Sequence, residues 1–177
     1  PQLALGAQFA AVAESAIHWL ERQPALDQLS QKLAGIFSSK VQPGPVKDLL
    51  SGTWLGHPLH PMLTDVTIGA WTSALALDIF GGKSGSRGAD TLIGIGVLSA
   101  LPTALSGLSD LADFGTEHER ALGAAHALGN ITATALFAAS YLARKTGSRG
   151  VGVLLSLAGA AMMTGGAYLG GHMTFRR

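Results

Sequence analysis

The sequence predicts an all-α fold: a four-helix transmembrane bundle of up-down-up-down topology, preceded by an N-terminal amphipathic helical arm. Three observations carry this. Charged residues make up only 13 % of the chain and apolar residues 47 %, whereas a soluble domain averages ~25 % charged; mean hydropathy is +0.34. Four apolar runs, each near the ~20 residues that cross a bilayer, are joined by short polar connections. No stretch alternates apolar and polar residues as a strand does. The 24 glycines suit membrane helices, whose backbones approach closely where side chains are small.

The arm and linker are expected over residues 1–50 and the bundle over 51–177. Residues 4–22 read as a helix with Leu5, Phe9, Val12, Ala16, Trp19 and Leu20 on its apolar face, ended by Pro24. It does not read as a secretory signal, because it has no basic start and Glu14 and His18 interrupt it. Residues 25–36 form a second amphipathic helix with Leu26, Leu29, Leu33 and Ile36 at helical spacing. Both are too short and too polar to span, so they lie on the membrane surface or cover the mouth of the bundle. Gln42-Pro43-Gly44-Pro45 is a linker, and Trp54 an interfacial anchor.

The four spans are expected over residues 61–81, 91–109, 121–143 and 151–171, with Pro61 in the first turn of the first and Pro102 kinking the second. The connections 82–90, 110–120 and 144–150 are short, which makes consecutive helices antiparallel. With side A defined as the side where the first span begins, His57, His60, His118, His126 and His172 all map to side A, and the sixth histidine, His18, belongs to the arm. Side B receives Lys83, Arg87, Arg144, Lys145 and Arg149, which places it in the cytoplasm by the positive-inside rule. The arm's Arg22, Lys32, Lys40 and Lys47 and the tail's Arg176 and Arg177 argue the other way.

The absence of cysteine excludes disulfides, thiolate ligands and an iron–sulfur cluster held by this chain. A net charge of +1 without a basic stripe gives no nucleic-acid signature, and no nucleophile elbow supports Ser-His-Asp catalysis. What remains is the histidine set. Gly56-His57-Pro58-Leu59-His60-Pro61 stands at the membrane entrance. His126 lies among Gly123, Gly129 and Asn130, a face unsuited to lipid. His172 follows Gly165-Gly166 and Gly170-Gly171, with Tyr168 one turn earlier. Asp65, one turn past Pro61, is expected to face the interior and orient a ligand histidine; a simple interaction with the helix dipole also accounts for it.

Axial histidines from different helices at one depth, with small residues around them, fit a b-type haem, since no Cys-x-x-Cys-His attachment is present. The expected ligands are His57, His60, His126 and His172, with His60, His126 and His172 on the haem iron and His57 in a second site or supporting role; Asp65, Asn130 and Tyr168 support them. One haem b is expected, or two if all four histidines ligate. The expected function is electron transfer by a multi-pass membrane protein, as a subunit or partner of a redox complex. The alternatives are a structural or assembly subunit whose histidines and glycines only pack and hydrogen-bond, and a non-haem metal site using Asp65.

Four separated stretches carry a resemblance. They are Gly52 to Trp71 with its His-Pro-Leu-His-Pro centre, Ala100-Leu-Pro-Thr-Ala104 with Gly107-Leu-Ser-Asp110, His126 to Asn130, and Tyr168-Leu-Gly-Gly-His172. From about Gly44 onward the chain resembles a bacterial membrane-protein family of unknown function, number 2231. Some members of that family are linked to Rieske-type [2Fe–2S] domains, so the resemblance implies redox company and a Rieske-type partner; with no cysteine, this sequence contains no such domain itself.

Overall fold

The computed structural model describes the backbone of residues 2–175, and the side chains among them except those of residues 2–5 and 9. The expected contacts of Leu5 and Phe9 and the charges of Arg176 and Arg177 lie outside the described residues. The fold is all-α, without strands among the described residues. The arm comprises α1 (Gln2–Glu21), α2 (Pro24–Lys40) and the short α3 (Pro45–Ser51), followed by a 3-10 turn at Thr53–Leu55. The bundle comprises α4 (Leu59–Phe80), α5 (Gly82–Leu111), α6 (Glu117–Lys145) and α7 (Arg149–Phe175). These four are long and apolar enough to cross a membrane.

Each span is longer than its apolar run suggests, because polar residues continue the helices. The expected 82–90 loop is helix: α5 starts at Gly82, whose φ of +53° makes the reversal possible in a single step after Gly81. Pro102 does not end α5. α6 is extended at its start by a capping box, in which Thr116 Oγ1 accepts from the Glu119 amide while Glu119 accepts from the Thr116 amide.

The arm docks on side A. α2 packs against α6 and α5, and its Asp27 receives the Arg120 Nε at 2.6 Å. α3 is tied to the end of α5: Lys47 Nζ donates to the Ser109 carbonyl at 2.6 Å and to Asp113 at 2.8 Å, and Ser106 donates to the Leu50 carbonyl at 2.8 Å. Of the two placements open from the sequence, the structure therefore has α2 and α3 over the mouth of the bundle.

The four long helices form two antiparallel hairpins, α4–α5 and α6–α7, and the hairpins are built alike. On α4, His60, Trp71 and Asp78 are spaced by 11 and 7 residues; on α6, His126, Phe137 and Arg144 repeat those spacings. The three pairs meet across the bundle. The His60 and His126 ring centroids are 6.0 Å apart. Trp71 stacks on Phe137 at 4.1 Å with planes 9° apart, both buried. Asp78 pairs with Arg144. At 1.5 Å per residue these layers lie about 16 Å and 10 Å apart along the axis. Each aromatic side chain also settles on a glycine of its own hairpin: Trp71 on Gly96, Phe137 on Gly159, His60 on Gly107 and His126 on Gly170, where a methyl group would collide with or press on the ring. The same frame occurs twice, as in membrane folds made of parallel repeats.

The side B layer is an ion cluster. Arg144, whose side chain is 0 % exposed, clamps Asp78, at 1 %, through both terminal nitrogens, and reaches Asp90 at 3.3 Å. Arg149 bridges the same two carboxylates at 2.7 Å and 2.9 Å. Arg144 Nε donates to Ser140 Oγ and Nη2 also donates to Ser156 Oγ, and Gly152 leaves room for its stem. Two cations and two anions neutralise one another, which is the condition for burying any of them. Asp78 is thus a central residue of the side B layer. Asp78→Ala leaves Arg144 short of its bidentate partner and should cost about 3–5 kcal/mol, seen as a lowered midpoint of thermal unfolding in detergent. The double replacement Asp78→Leu with Arg144→Met removes both charges and should recover more than half of that loss.

Candidate functional site

The side A layer begins with how α4 starts. Leu59 and His60 are already helical, with Pro58 as N-cap. The helix thus begins two residues before the expected start at 61: in the third position Pro61 lacks only an N–H that would have no acceptor within the helix anyway. The chain before it folds tightly over Gly52, which has φ +82° and where any side chain would strike the His57 carbonyl. His60 is therefore fixed by the helix and directed at α5.

His60 Nδ1 lies 2.9 Å from the Thr103 carbonyl. A carbonyl only accepts, so Nδ1 carries the proton and Nε2 offers a lone pair. His126 repeats the arrangement on α7, with Nδ1 donating to the Gly166 carbonyl at 2.8 Å. Its Nε2 accepts from Asn130 Nδ2 at 2.9 Å. Thr64 stands where Asn130 stands in the other hairpin and bonds the His60 carbonyl instead, so His60 Nε2 makes no hydrogen bond among the described residues. The two ring planes are 79° apart. The glycines beside the rings admit this chain's own side chains: Gly107 and Gly170 seat the imidazoles, and Gly166 sits against Asn130.

The other expected site residues separate from this pair. His57 is exposed in the turn before α4. His172 is partly buried and lines a groove of about 220 Å³ with Glu21, Phe114, His118, Glu119, Leu122 and Met173, so it belongs with His118 and the arm. Asp65 is exposed on the outer side of α4, which corrects the expectation that it faces inward; six residues after Leu59 the helix has turned that position away from α5. Tyr168 is 44 % exposed on α7. Among the described residues no three His, Asp or Glu side chains converge closely enough to hold a metal ion, so the three- or four-ligand non-haem centre is not formed. Of the expected supporting residues, Asn130 touches a histidine of the pair.

Sequence reasoning missed the Asp78–Arg144–Asp90–Arg149 cluster, although all four residues map to side B by the topology used for the histidines. The fixed tautomer is directly measurable. In 15N-labelled protein, His60 and His126 should both show the Nδ1–H form, with His126 Nε2 shifted by its Asn130 hydrogen bond and that shift lost in Asn130→Ala; an Nε2–H form at either residue refutes the network.

No curated protein and no solved structure matches the chain. A family model described as a predicted membrane protein, DUF2231, matches residues 56–177, from the residue before His57 through all four long helices. The chain thus belongs to the DUF2231 family of predicted membrane proteins.

Proposed function

We propose that this protein is a membrane electron-transfer subunit in which His60 and His126 hold the iron of a b-type haem at the side A end of the bundle. The observation that supports it is the pair itself. Two imidazoles come from different helices at one depth, and each has its Nδ1–H on a backbone carbonyl, the arrangement that fixes a histidine for ligation through Nε2. Their centroids are 6.0 Å apart, close to the ~6 Å that one metal bound to two imidazole nitrogens at ~2.0–2.1 Å imposes. An iron so held supplies one-electron chemistry. Thr103 and Gly166 orient the rings, Gly107 and Gly170 let them lie close to α5 and α7, and Asn130 must release His126 Nε2 for ligation. His57 is exposed and His172 lines a separate groove, so this reading carries one haem. The redox complex, a Rieske-type iron–sulfur partner and residence in the bacterial inner membrane belong to the same proposal.

A second reading rests on a different detail of the same layer. Asn130 already satisfies His126 Nε2 and both rings fill their glycine notches. In this reading the layer is a polar clasp between hairpins, and the protein is a structural or assembly subunit. The visible spectrum of protein produced with full haem supply separates the two. The haem reading expects a reduced b-type α-band at one haem per chain, abolished by His60→Ala and by His126→Ala and retained in His57→Ala and His172→Ala. If no band forms, or if it survives both of the first two replacements, the haem reading fails. The clasp reading expects no band, with lowered thermal stability in the same two variants.

A further inference from the structure

The side A groove takes no part in the histidine pair, yet it lies beside it. Leu122, which lines it, stands one turn before His126, about 6 Å along α6. His172, which also lines it, follows by two residues Gly170, the glycine that seats the His126 ring. Phe114, Leu122 and Met173 give the groove apolar walls, and Glu21, His118, Glu119 and His172 give it polar ones.

The polar groups are not alike. Glu119 accepts from the amides of Gly115 and Thr116 and from the Thr116 hydroxyl, and Glu21 lies 3.0 Å from His18 Nδ1. His118 and His172 make no hydrogen bond among the described residues. They come from different helices, α6 and α7, and a neutral imidazole offers one N–H and one lone pair. The groove thus presents two groups that each donate and accept, beside apolar side chains.

Size, charge and position narrow the occupant. The volume is about 220 Å³, below the ~300–1,000 Å³ of sites for drug-sized ligands, so it takes one small ring rather than a nucleotide. Two carboxylates oppose a phosphate headgroup. α7 has 27 residues, about 40 Å against ~30 Å of hydrocarbon, which leaves its last turn, with His172, at the level of the headgroups. Tyr168, one turn back toward the bilayer on the same face, is exposed and offers a ledge for a lipid tail.

We propose that this groove binds the ring of a lipid-soluble quinone, with its two oxygens toward His118 and His172 and its tail over Tyr168. An imidazole N–H donates to a quinone oxygen, and an imidazole lone pair accepts from a quinol hydroxyl, so the same residues hold both redox states. The redox step rests on the reading of His60 and His126 as haem ligands. A bound quinol becomes quinone by giving up two electrons and two protons. The electrons leave one at a time to the ferric iron of the pair, which a one-electron acceptor in the redox complex reoxidises between transfers. The protons pass to His118 and His172.

Binding is tested on the full-length protein purified in detergent without haem. It is illuminated with an azido-quinone, and the labelled residues are located by mass spectrometry. Label should fall within residues 112–122 and 168–173 and be displaced by decylubiquinone. The concentration for half-displacement should rise about 3- to 10-fold in His118→Leu and in His172→Leu, the worth of one hydrogen bond. His172→Trp, which fills the groove, should take no label there, whereas His57→Leu, exposed on the same side, should label like the unmodified protein. Label elsewhere, label that decylubiquinone does not displace, or undiminished label in His172→Trp overturns the proposal. The position of the label in the unmodified protein does not depend on how any variant folds. Haem plays no part in this measurement, so the groove and the haem reading fail separately. In haem-loaded protein, decylubiquinol should raise the reduced α-band, at a rate lowered by the same factor of about 3 to 10 in His172→Leu, which keeps both proposed ligands. An unchanged rate overturns the redox step.

Discussion

The bundle depends on Arg144. Helices in hydrocarbon gain little by exchanging lipid contacts for leucine contacts, so association rests on packing and on polar bonds that lipid cannot supply. Arg144 supplies four such bonds from one side chain, joining α6 to Asp78 on α4, Asp90 on α5 and Ser156 on α7. It thereby holds both hairpins at one end. An arginine buried without those carboxylates would break the bundle it now closes. The aromatic stack of Trp71 on Phe137 and the histidine layer follow above it at the spacing that the helices' common rise requires.

The two hairpins share a frame and differ in what it carries. His60 and His126 have the same carbonyl hydrogen bond and the same glycine seat, yet only His126 has an asparagine on its far nitrogen. That difference leaves the far nitrogen of His60 open and that of His126 occupied. Asp65 and Ile131, matched by the same spacing, also differ on the outer surface.

The span count and the helix order were legible because period, run length and loop length are local properties, and antiparallel connection follows from them. The repeat was not legible. Trp71 precedes its glycine, Gly96, by 25 residues and Phe137 precedes Gly159 by 22, so no single shift aligns both hairpins, and the matched pairs Trp71 with Phe137 and Asp78 with Arg144 differ in residue type. Asp65 was misread because the direction a helical residue faces is set by helix rotation, which its depth and residue type do not fix. His172 was misread because common depth is not common azimuth: topology placed it in the right layer, and the rotation of α7 directed it to the groove beside His118.

By itself the sequence determined that this chain is a helical membrane protein with a histidine-rich end and a basic end, since bilayer thickness and the cost of unpaired polar groups leave no other solution for four such runs. Only the tertiary structure decided which polar residues meet. It took His60 and His126 from five histidines, joined Asp78 and Asp90 to Arg144 and Arg149, and turned Asp65 outward. Those choices are made by helix rotation and by which glycines stand opposite which rings, and they arise only when all four helices are packed together.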